Sequence, residues 1–208
     1  MKIGNTSPTF EMEKLLWQTG IKLVAGVDEV GRGCFAGPIV ASAVILPPNF
    51  SAAKRINDSK LLSPTRRKEL SEIIKQEAVS YALGVVSINY INKYGIGQAN
   101  QLAFKKSLNK LSIRPEYVLV DGIKIKKIFR TRQKAIIKGD RISVSIASAS
   151  IIAKVYRDEL MQNLPYKYNK YGFYGNKGYG TGFHREAIYK YGLSDLHRTS
   201  FNLQKFLQ

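Results

Sequence analysis

Cysteine and histidine are nearly absent from this 208-residue chain, which contains one Cys and two His. The single cysteine, Cys34, excludes an internal disulfide framework and any cysteine-rich zinc site. No segment approaches about 18 uninterrupted apolar residues, so no membrane-spanning helix is predicted. Residues 1–10 also lack the charged start, apolar core and cleavage site of a secretory signal. We therefore expect a soluble, cytoplasmic protein with no membrane partner.

Acidic residues are also scarce relative to basic ones. The chain has 15 Asp and Glu against 33 Lys and Arg, which gives a formal net charge of +18. A surface of this sign concentrates polyanions and favours nucleic acid as the partner. The net charge would also be explained if the proteins of the source organism were basic in general. Motifs are therefore needed to identify the partner.

The hydrophobic pattern indicates one α/β domain that covers 1–208. Apolar, β-branched runs predict five strands, at 22–27, 39–46, 80–88, 117–120 and 134–138. Capped or amphipathic segments predict four helices, at 10–19, 64–78, 95–110 and 145–161. Residues 164–208 are rich in Tyr, Gly and Lys, and we expect them to form a small C-terminal appendage of helix and loop.

Acidic side chains follow three of the predicted strands. Asp28 and Glu29 come after the first apolar run, Asp121 after the fourth, and Asp140 after Gly139 beyond the fifth. Buried carboxylates in a cluster repel one another unless a cation neutralises them. Oxygen ligands without nearby His or Cys favour Mg²⁺ or Mn²⁺ over zinc. Any one aspartate alone is better explained as a turn former or cap, but the adjacent acidic pair is not.

Glycines follow the acidic pair directly. Gly31 and Gly33 allow backbone amides to approach an anionic or hydroxyl-bearing ligand closely. Segment 24–47, which contains both glycines, resembles the signature of ribonuclease HII, and four further blocks resemble that family in the same order. These blocks are NDSKLLSPTRR at 57–67, VLVDG at 118–122, GDRISVSIASASIIAKVYRDELM at 139–161 and GYGTGFHREAIYKYGLSDLHRTSF at 178–201.

The resemblance implies a ribonuclease H-like fold, a mixed sheet of about five strands flanked by helices. It also implies a metal-dependent endonuclease that uses two divalent cations. Carried over by position, the catalytic and metal-binding residues are Asp28, Glu29, Asp121 and Asp140. Asp158 competes with Asp140 for the fourth place, but Lys154 lies four residues away on the same predicted helix, which favours an ordinary ion pair.

The resemblance further implies how the substrate is recognised. The backbone of Gly31, Arg32 and Gly33, with a tyrosine matching Tyr179, would recognise the ribonucleotide at an RNA-to-DNA junction. Lys60 is the candidate phosphate contact. Without the resemblance, Tyr179 would be interpreted as a packed aromatic and Lys60 as a solvated surface lysine.

The implied substrates are RNA/DNA hybrids and duplex DNA that contains single ribonucleotides. The RNA strand would be cut to leave a 5′-phosphate and a 3′-hydroxyl. The implied role is the removal of misincorporated ribonucleotides and replication primers, and we expect a monomer.

Two basic regions would extend the contact with nucleic acid. Region 166–179 interleaves lysines with tyrosines and one phenylalanine, aromatic residues that are also explained as core residues. Region 124–134 is expected to be a solvated hairpin that steers substrate. Its cations are Lys124, Lys126, Lys127, Arg130, Arg132 and Lys134.

Two other functions compete with the metal-dependent nuclease. A non-catalytic basic RNA-binding protein explains the net charge but not the buried acidic set. A metal-free ribonuclease would need histidine acid-base chemistry, and the only histidines are His184 and His197, which we expect to brace the C-terminal region. Loss of cleavage in the presence of a chelator would distinguish the metal-dependent nuclease from the metal-free ribonuclease.

Overall fold

The computed structural model describes residues 7–127 and 132–207. A five-stranded mixed sheet forms its centre in the order β3-β2-β1-β4-β5. The strands are β1 (Val24–Val30), β2 (Ile39–Ile45), β3 (Ser80–Val86), β4 (Tyr117–Asp121) and β5 (Gln133–Ile136). The α-helices are α1 (Glu11–Gln18), α2 (Pro64–Glu77), α3 (Ile88–Asn109), α4 (Val144–Gln162), α5 (Phe173–Asn176) and α6 (Gly182–Tyr191). The predicted sheet of about five strands flanked by helices is confirmed.

The parallel half of the sheet places two acidic strand ends side by side. β1 pairs antiparallel with β2 and β2 with β3, whereas β1 with β4 and β4 with β5 are parallel. Val27 pairs with Val120 in the β1–β4 register, so the next residues, Asp28 and Asp121, are neighbours. Side chains alternate between the two faces of a strand. The side chains of Asp28 and Asp121 therefore lie on the same face of the sheet.

The two longest helices cover opposite faces of the sheet. Ala25 and Val27 of β1 belong to one core cluster with Ala103 of α3. On the other face α4 lies so close to β1 that a Cβ built on Gly26 would be 2.1 Å from the Ser145 carbonyl carbon. Only glycine fits at that position. The glycine in β1 is therefore what allows α4 to approach the sheet so closely.

Three element boundaries differ from the sequence-based expectation. Element α3 consists of two helical segments that meet at Gly95, whose φ of 79° and ψ of 161° are not helical; the second segment agrees with the helix predicted at 95–110, and the first, which begins at Ile88, was not predicted. Strand β1 extends to Val30, so the acidic pair lies within the strand and not after it. Asp140 lies in a 3-10 helix, Gly139–Arg141, and not at the end of β5.

The residues after α4 form the expected appendage of short helices and loops. It packs against the loop that follows β1, since Ala36 of that loop shares a core cluster with Met161 and Tyr171. The Tyr168 hydroxyl donates to the Asp195 carboxylate, 2.9 Å from each oxygen. The appendage is therefore held together by a contact of its own and also packs against the segment that follows the acidic pair.

Some expectations are not tested by these observations. Residues 1–6, 128–131 and 208 lie outside the described residues, and Arg130 of the first basic region is among them. Within 7–127 and 132–207, no helix combines the length and apolar character needed to cross a bilayer. The cytoplasmic location and the monomeric state stay predictions.

Candidate active site

A cavity of about 500 Å³ opens at the carboxyl ends of β1 and β4. It is lined by all nine residues for which the sequence predicts a catalytic or substrate-binding role. These are Asp28, Glu29, Gly31, Arg32, Gly33, Lys60, Asp121, Asp140 and Tyr179. Ser59, Ser150 and Lys154 also line the cavity, and sequence reasoning did not assign them to the site.

The neighbouring carboxylates of β1 point to opposite faces of the sheet. Asp28 lies on the α4 face, where its Oδ1 accepts a 2.7 Å hydrogen bond from the Glu29 backbone N–H. Ser150 of α4 lies close enough to the Asp28 side chain to lower its pKa, and the Ser150 hydroxyl lies 3.0 Å from that of Ser59. Glu29 lies on the α3 face, where Asn100 is its polar neighbour. Each helix thus contributes one uncharged polar side chain to one acid.

Asp121 and Asp140 are brought together by a backbone contact. The Asp121 Oδ1 accepts a 2.6 Å hydrogen bond from the backbone N–H of Gly139, the residue before Asp140. Lys60 Nζ lies 3.8 Å from the Asp140 Oδ2, and the Lys60 side chain is 75% exposed. Lys60 is therefore free to reach a phosphate at the mouth of the cavity.

Burial raises the pKa of all four carboxyl groups. For Asp28 the loss of water is the main cause, and the charges of Glu29 and Asp121 add to it. The pKa of Glu29 rises from 4.5 to about 7, because burial and Asp121 outweigh the attraction of Arg32. Burial is also the main cause for the raised pKa of Asp121 and of Asp140. Such a set favours a bound cation, which would compensate the negative charge.

The donor chemistry suits a hard divalent cation, although the acids do not form a closed cage. In the part of the chain that the structure describes, no three Asp, Glu, His or Cys side chains are grouped as a preformed metal site. Mg²⁺ commonly binds through one or two carboxylates and keeps several waters. The four acids and the space beside them fit an open site of that kind.

Asp58 is a site residue whose role sequence reasoning missed. It is 1% exposed, and its Oδ1 accepts a 3.0 Å hydrogen bond from the Lys60 backbone N–H. Its Oδ2 pairs with the Arg141 guanidinium at 3.0 Å. Asp58 thus fixes the turn that carries Lys60 and ties it to the segment beside Asp140. The available signal was the Asn-Asp-Ser order, which is typical of a turn that bonds its own backbone.

Two fully buried arginines hold the glycine-rich loop that follows β1. Arg157 donates at 2.8 to 3.1 Å, and Arg198 at 2.9 to 3.2 Å, to backbone carbonyls. The acceptors of Arg157 are Ala36, Pro38 and Lys177, and those of Arg198 are Arg32, Gly37 and Pro38. Burial lowers the pKa of Arg198 to about 10, which still leaves it charged at neutral pH. These residues were not predicted to belong to the site.

The two glycines of the loop differ in what they make possible. Gly31 has φ of +90°, and a Cβ added there would lie 2.2 Å from the Arg157 Nε. Gly31 is therefore required both by its backbone conformation and by the arginine. A Cβ added at Gly33 would meet nothing within 4 Å. Open space thus lies over the Gly33 backbone, where a ligand can approach.

Tyr179 lies at the edge of the cavity and is 37% exposed. Lys154 Nζ and the Arg157 guanidinium lie 5.5 and 5.8 Å from the centre of its ring. Burial, with Cys34 as a hydrogen-bonding neighbour, raises the pKa of the Tyr179 hydroxyl to about 12. Tyr179 is therefore a neutral phenol at physiological pH.

The competing residues lie outside the cavity. Asp158 forms the expected ion pair with Lys154 at 2.8 Å, and it lines the neighbouring groove instead. His184 and His197 are both fully buried, with their Nε2 atoms 3.0 Å apart. Burial lowers the pKa of His197 to about 4. The expectation that the histidines brace the C-terminal region is confirmed.

A larger groove of about 1060 Å³ continues from the cavity. Lys154 and Tyr179 line both spaces, so the two are contiguous. The walls of the groove come from the first turns of α2, the second half of α4 and residues 175–181. A long ligand could thus extend from the acids along the protein surface.

The chain is similar to known proteins along most of its length. The family model described as Ribonuclease HII matches residues 25–204. Ribonuclease HII of Clostridium beijerinckii is 52% identical over 86% of this chain and 67% of its own length. That of Alkaliphilus metalliredigens is 47% identical over 95% and 98% of the two chains. The crystal structure of ribonuclease H2 from Pyrococcus horikoshii matches with a TM-score of 0.72 and 26% identity, over 89% of this chain and 99% of that one. This chain therefore belongs to the ribonuclease HII family and is an endoribonuclease of the ribonuclease H type.

Proposed function

We propose that this protein hydrolyses the RNA strand of RNA/DNA hybrids, including at single ribonucleotides embedded in duplex DNA. The products would carry a 5′-phosphate and a 3′-hydroxyl. One observation carries the proposal: four carboxylates and a glycine loop with open space over its backbone line the same cavity. The acids suit phosphodiester hydrolysis, and the loop suits recognition of a ribose.

The metal-binding residues in this proposal are Asp28, Glu29, Asp121 and Asp140, and the cations are Mg²⁺ or Mn²⁺. Two bound ions would supply an activated water for in-line attack and would stabilise the leaving 3′-oxygen. The protein then needs no side-chain nucleophile. The raised pKa of each acid supports this assignment, because burial disfavours a charged carboxylate unless a cation compensates its charge.

Recognition of the substrate is assigned to the glycine loop, Tyr179 and Lys60, which line the same cavity as the acids. The 2′-hydroxyl distinguishes the RNA strand, and backbone and short polar groups can hydrogen-bond it. We assign this contact to the backbone of Gly31, Arg32 and Gly33, with the neutral phenol of Tyr179 beside the sugar. Lys60 would contact a phosphate next to the scissile position. The buried arginines support this role because they prevent the loop from shifting.

The remaining duplex would lie along the contiguous groove. Lys68 and Lys177 are among its lining residues, and the chain carries a net charge of +18. Phosphate contacts of this kind are not sequence-specific, which suits an enzyme that removes misincorporated ribonucleotides and replication primers wherever they occur.

The test is cleavage of a DNA duplex that contains one ribonucleotide, compared with a continuous RNA/DNA hybrid. We expect cleavage with Mg²⁺ or Mn²⁺ and no cleavage in chelator. The kcat of Asp121→Asn should be lower by about 100-fold or more. Glu186→Gln, which changes an exposed acid of α6 that lines neither the cavity nor the groove, is the matched control and should cut normally. Cleavage that survives chelator, or leaves a cyclic phosphate, would indicate a metal-free mechanism. Binding of the hybrid without any cutting would indicate a non-catalytic RNA-binding protein.

A further inference from the structure

A buried amide in α3 has no hydrogen-bond partner. Asn100 is 1% exposed, and among the described residues neither its Oδ1 nor its Nδ2 forms a hydrogen bond of normal geometry. Burying an amide without a partner costs free energy, and most buried polar groups in folded proteins are paired. An apolar side chain of similar size would avoid that cost. The amide is therefore expected to serve a contact that forms in another state of the site.

The position of Asn100 identifies the group that it can contact. Helix α3 packs on the face of β1 that carries Ala25 and Val27, and Glu29 is the next residue on that face. The Asn100 amide lies near enough to lower the pKa of Glu29 by side-chain hydrogen bonding, although burial and Asp121 outweigh it. The two groups are therefore adjacent, but their present geometry falls short of a full hydrogen bond.

The other acid of the pair has a comparable neighbour. Ser150 of α4 lies beside Asp28 on the opposite face and also lowers its pKa. The Ser150 hydroxyl has a hydrogen-bond partner of its own, the Ser59 hydroxyl at 3.0 Å. For the Asn100 amide no such partner is found among the described residues.

We propose that Asn100 is a positioning residue for Glu29: its Nδ2–H donates to one carboxylate oxygen and leaves the other directed at a divalent cation in the cavity. This inference rests on the metal site of the proposed function. Partners that orient a metal ligand in this way commonly change metal affinity or activity by about 10- to 100-fold when they are removed. If Asn100 had only a structural role, its replacement would change the stability of the fold and not the affinity for the metal.

The test combines Mn²⁺ titration by calorimetry in the absence of nucleic acid with steady-state cleavage and thermal unfolding in chelator. We expect Asn100→Leu to weaken Mn²⁺ binding by about 10- to 100-fold and to lower kcat at fixed Mn²⁺. Its KM for the duplex should stay close to that of the native protein, and its unfolding temperature in chelator should not fall, because an unpartnered buried amide is replaced by an apolar side chain. Asn100→Thr, which keeps a donor, should bind Mn²⁺ more tightly than Asn100→Leu, and it serves as the second variant if Asn100→Leu does not fold.

A matched control lies on the same helix. Ser107 is also fully buried, but its hydroxyl donates to the Phe104 carbonyl of its own helix, so Ser107→Ala should leave Mn²⁺ binding unchanged. Native Mn²⁺ affinity in both Asn100 variants would overturn the inference and leave the proposed function intact. A native protein that binds no Mn²⁺ and cuts in chelator would overturn both.

Discussion

Replacement of Arg157 by methionine tests the arginine support of the glycine loop. The guanidinium is fully buried and donates to three backbone carbonyls, of Pro38 at 2.9 Å, Lys177 at 2.8 Å and Ala36 at 3.1 Å. Methionine fills much of the same volume but donates no hydrogen bond. Arg157→Met therefore leaves three buried carbonyls without these donors and disconnects the loop after β1 from the appendage.

The magnitude follows from the number of bonds that are lost. A hydrogen bond from a charged donor contributes about 1.5 to 3 kcal/mol, and neighbouring losses are not additive. We expect the free energy of unfolding to fall by about 3 to 5 kcal/mol. At about 2 to 4 °C per kcal/mol for a domain of this size, the unfolding temperature falls by about 6 to 20 °C.

The assays are thermal unfolding by circular dichroism and cleavage of a duplex with one ribonucleotide. We expect the folded fraction of Arg157→Met to cut more slowly than the native protein, because the loop that we propose to contact the ribose has lost its support. Arg66→Met, which removes a surface ion pair with Glu69, is the matched control and should unfold and cut normally. A native unfolding temperature together with native cleavage for Arg157→Met would refute this account of the loop.

Three further predictions concern the surroundings of the acids. Glu13 of α1 is fully buried and accepts hydrogen bonds from the Ser143 hydroxyl at 2.6 Å and the Ser145 N–H at 3.0 Å. Glu13→Leu should therefore lower the free energy of unfolding, measured in urea, by about 1 to 3 kcal/mol. An unchanged free energy would contradict this role. Because the pKa of Glu29 is raised from 4.5 to about 7, its ionisation opposes folding in chelator as pH rises through that window. Glu29→Gln should therefore stabilise the metal-free protein more at about pH 8 than at about pH 5, and an equal gain at both would count against the raised pKa. Gly33→Ala adds a Cβ that meets nothing within 4 Å, so it should unfold like the native protein yet cut poorly at a lone ribonucleotide; native cleavage would show that the ribose does not approach there.

The sequence by itself determined the strands and which acids lie at or near their ends. Apolar, β-branched runs are favoured in buried strands whatever their partners are, so the five strands were predicted within a few residues. The acids stood out because a carboxylate next to such a run must be either solvated or neutralised. The kink at Gly95 was not predicted, since a glycine at that position is equally compatible with the start of a helix.

Tertiary structure alone decided which residues hold the acids and the loop in place. Alternation along β1 separates Asp28 from Glu29, but only the packing of α3 and α4 on the two faces brings Asn100 to one and Ser150 to the other. The burial of Arg157 could not be predicted from its surroundings in the sequence. Its partners are backbone carbonyls, and because every residue carries one, no residue type marks the place where a buried guanidinium will bind.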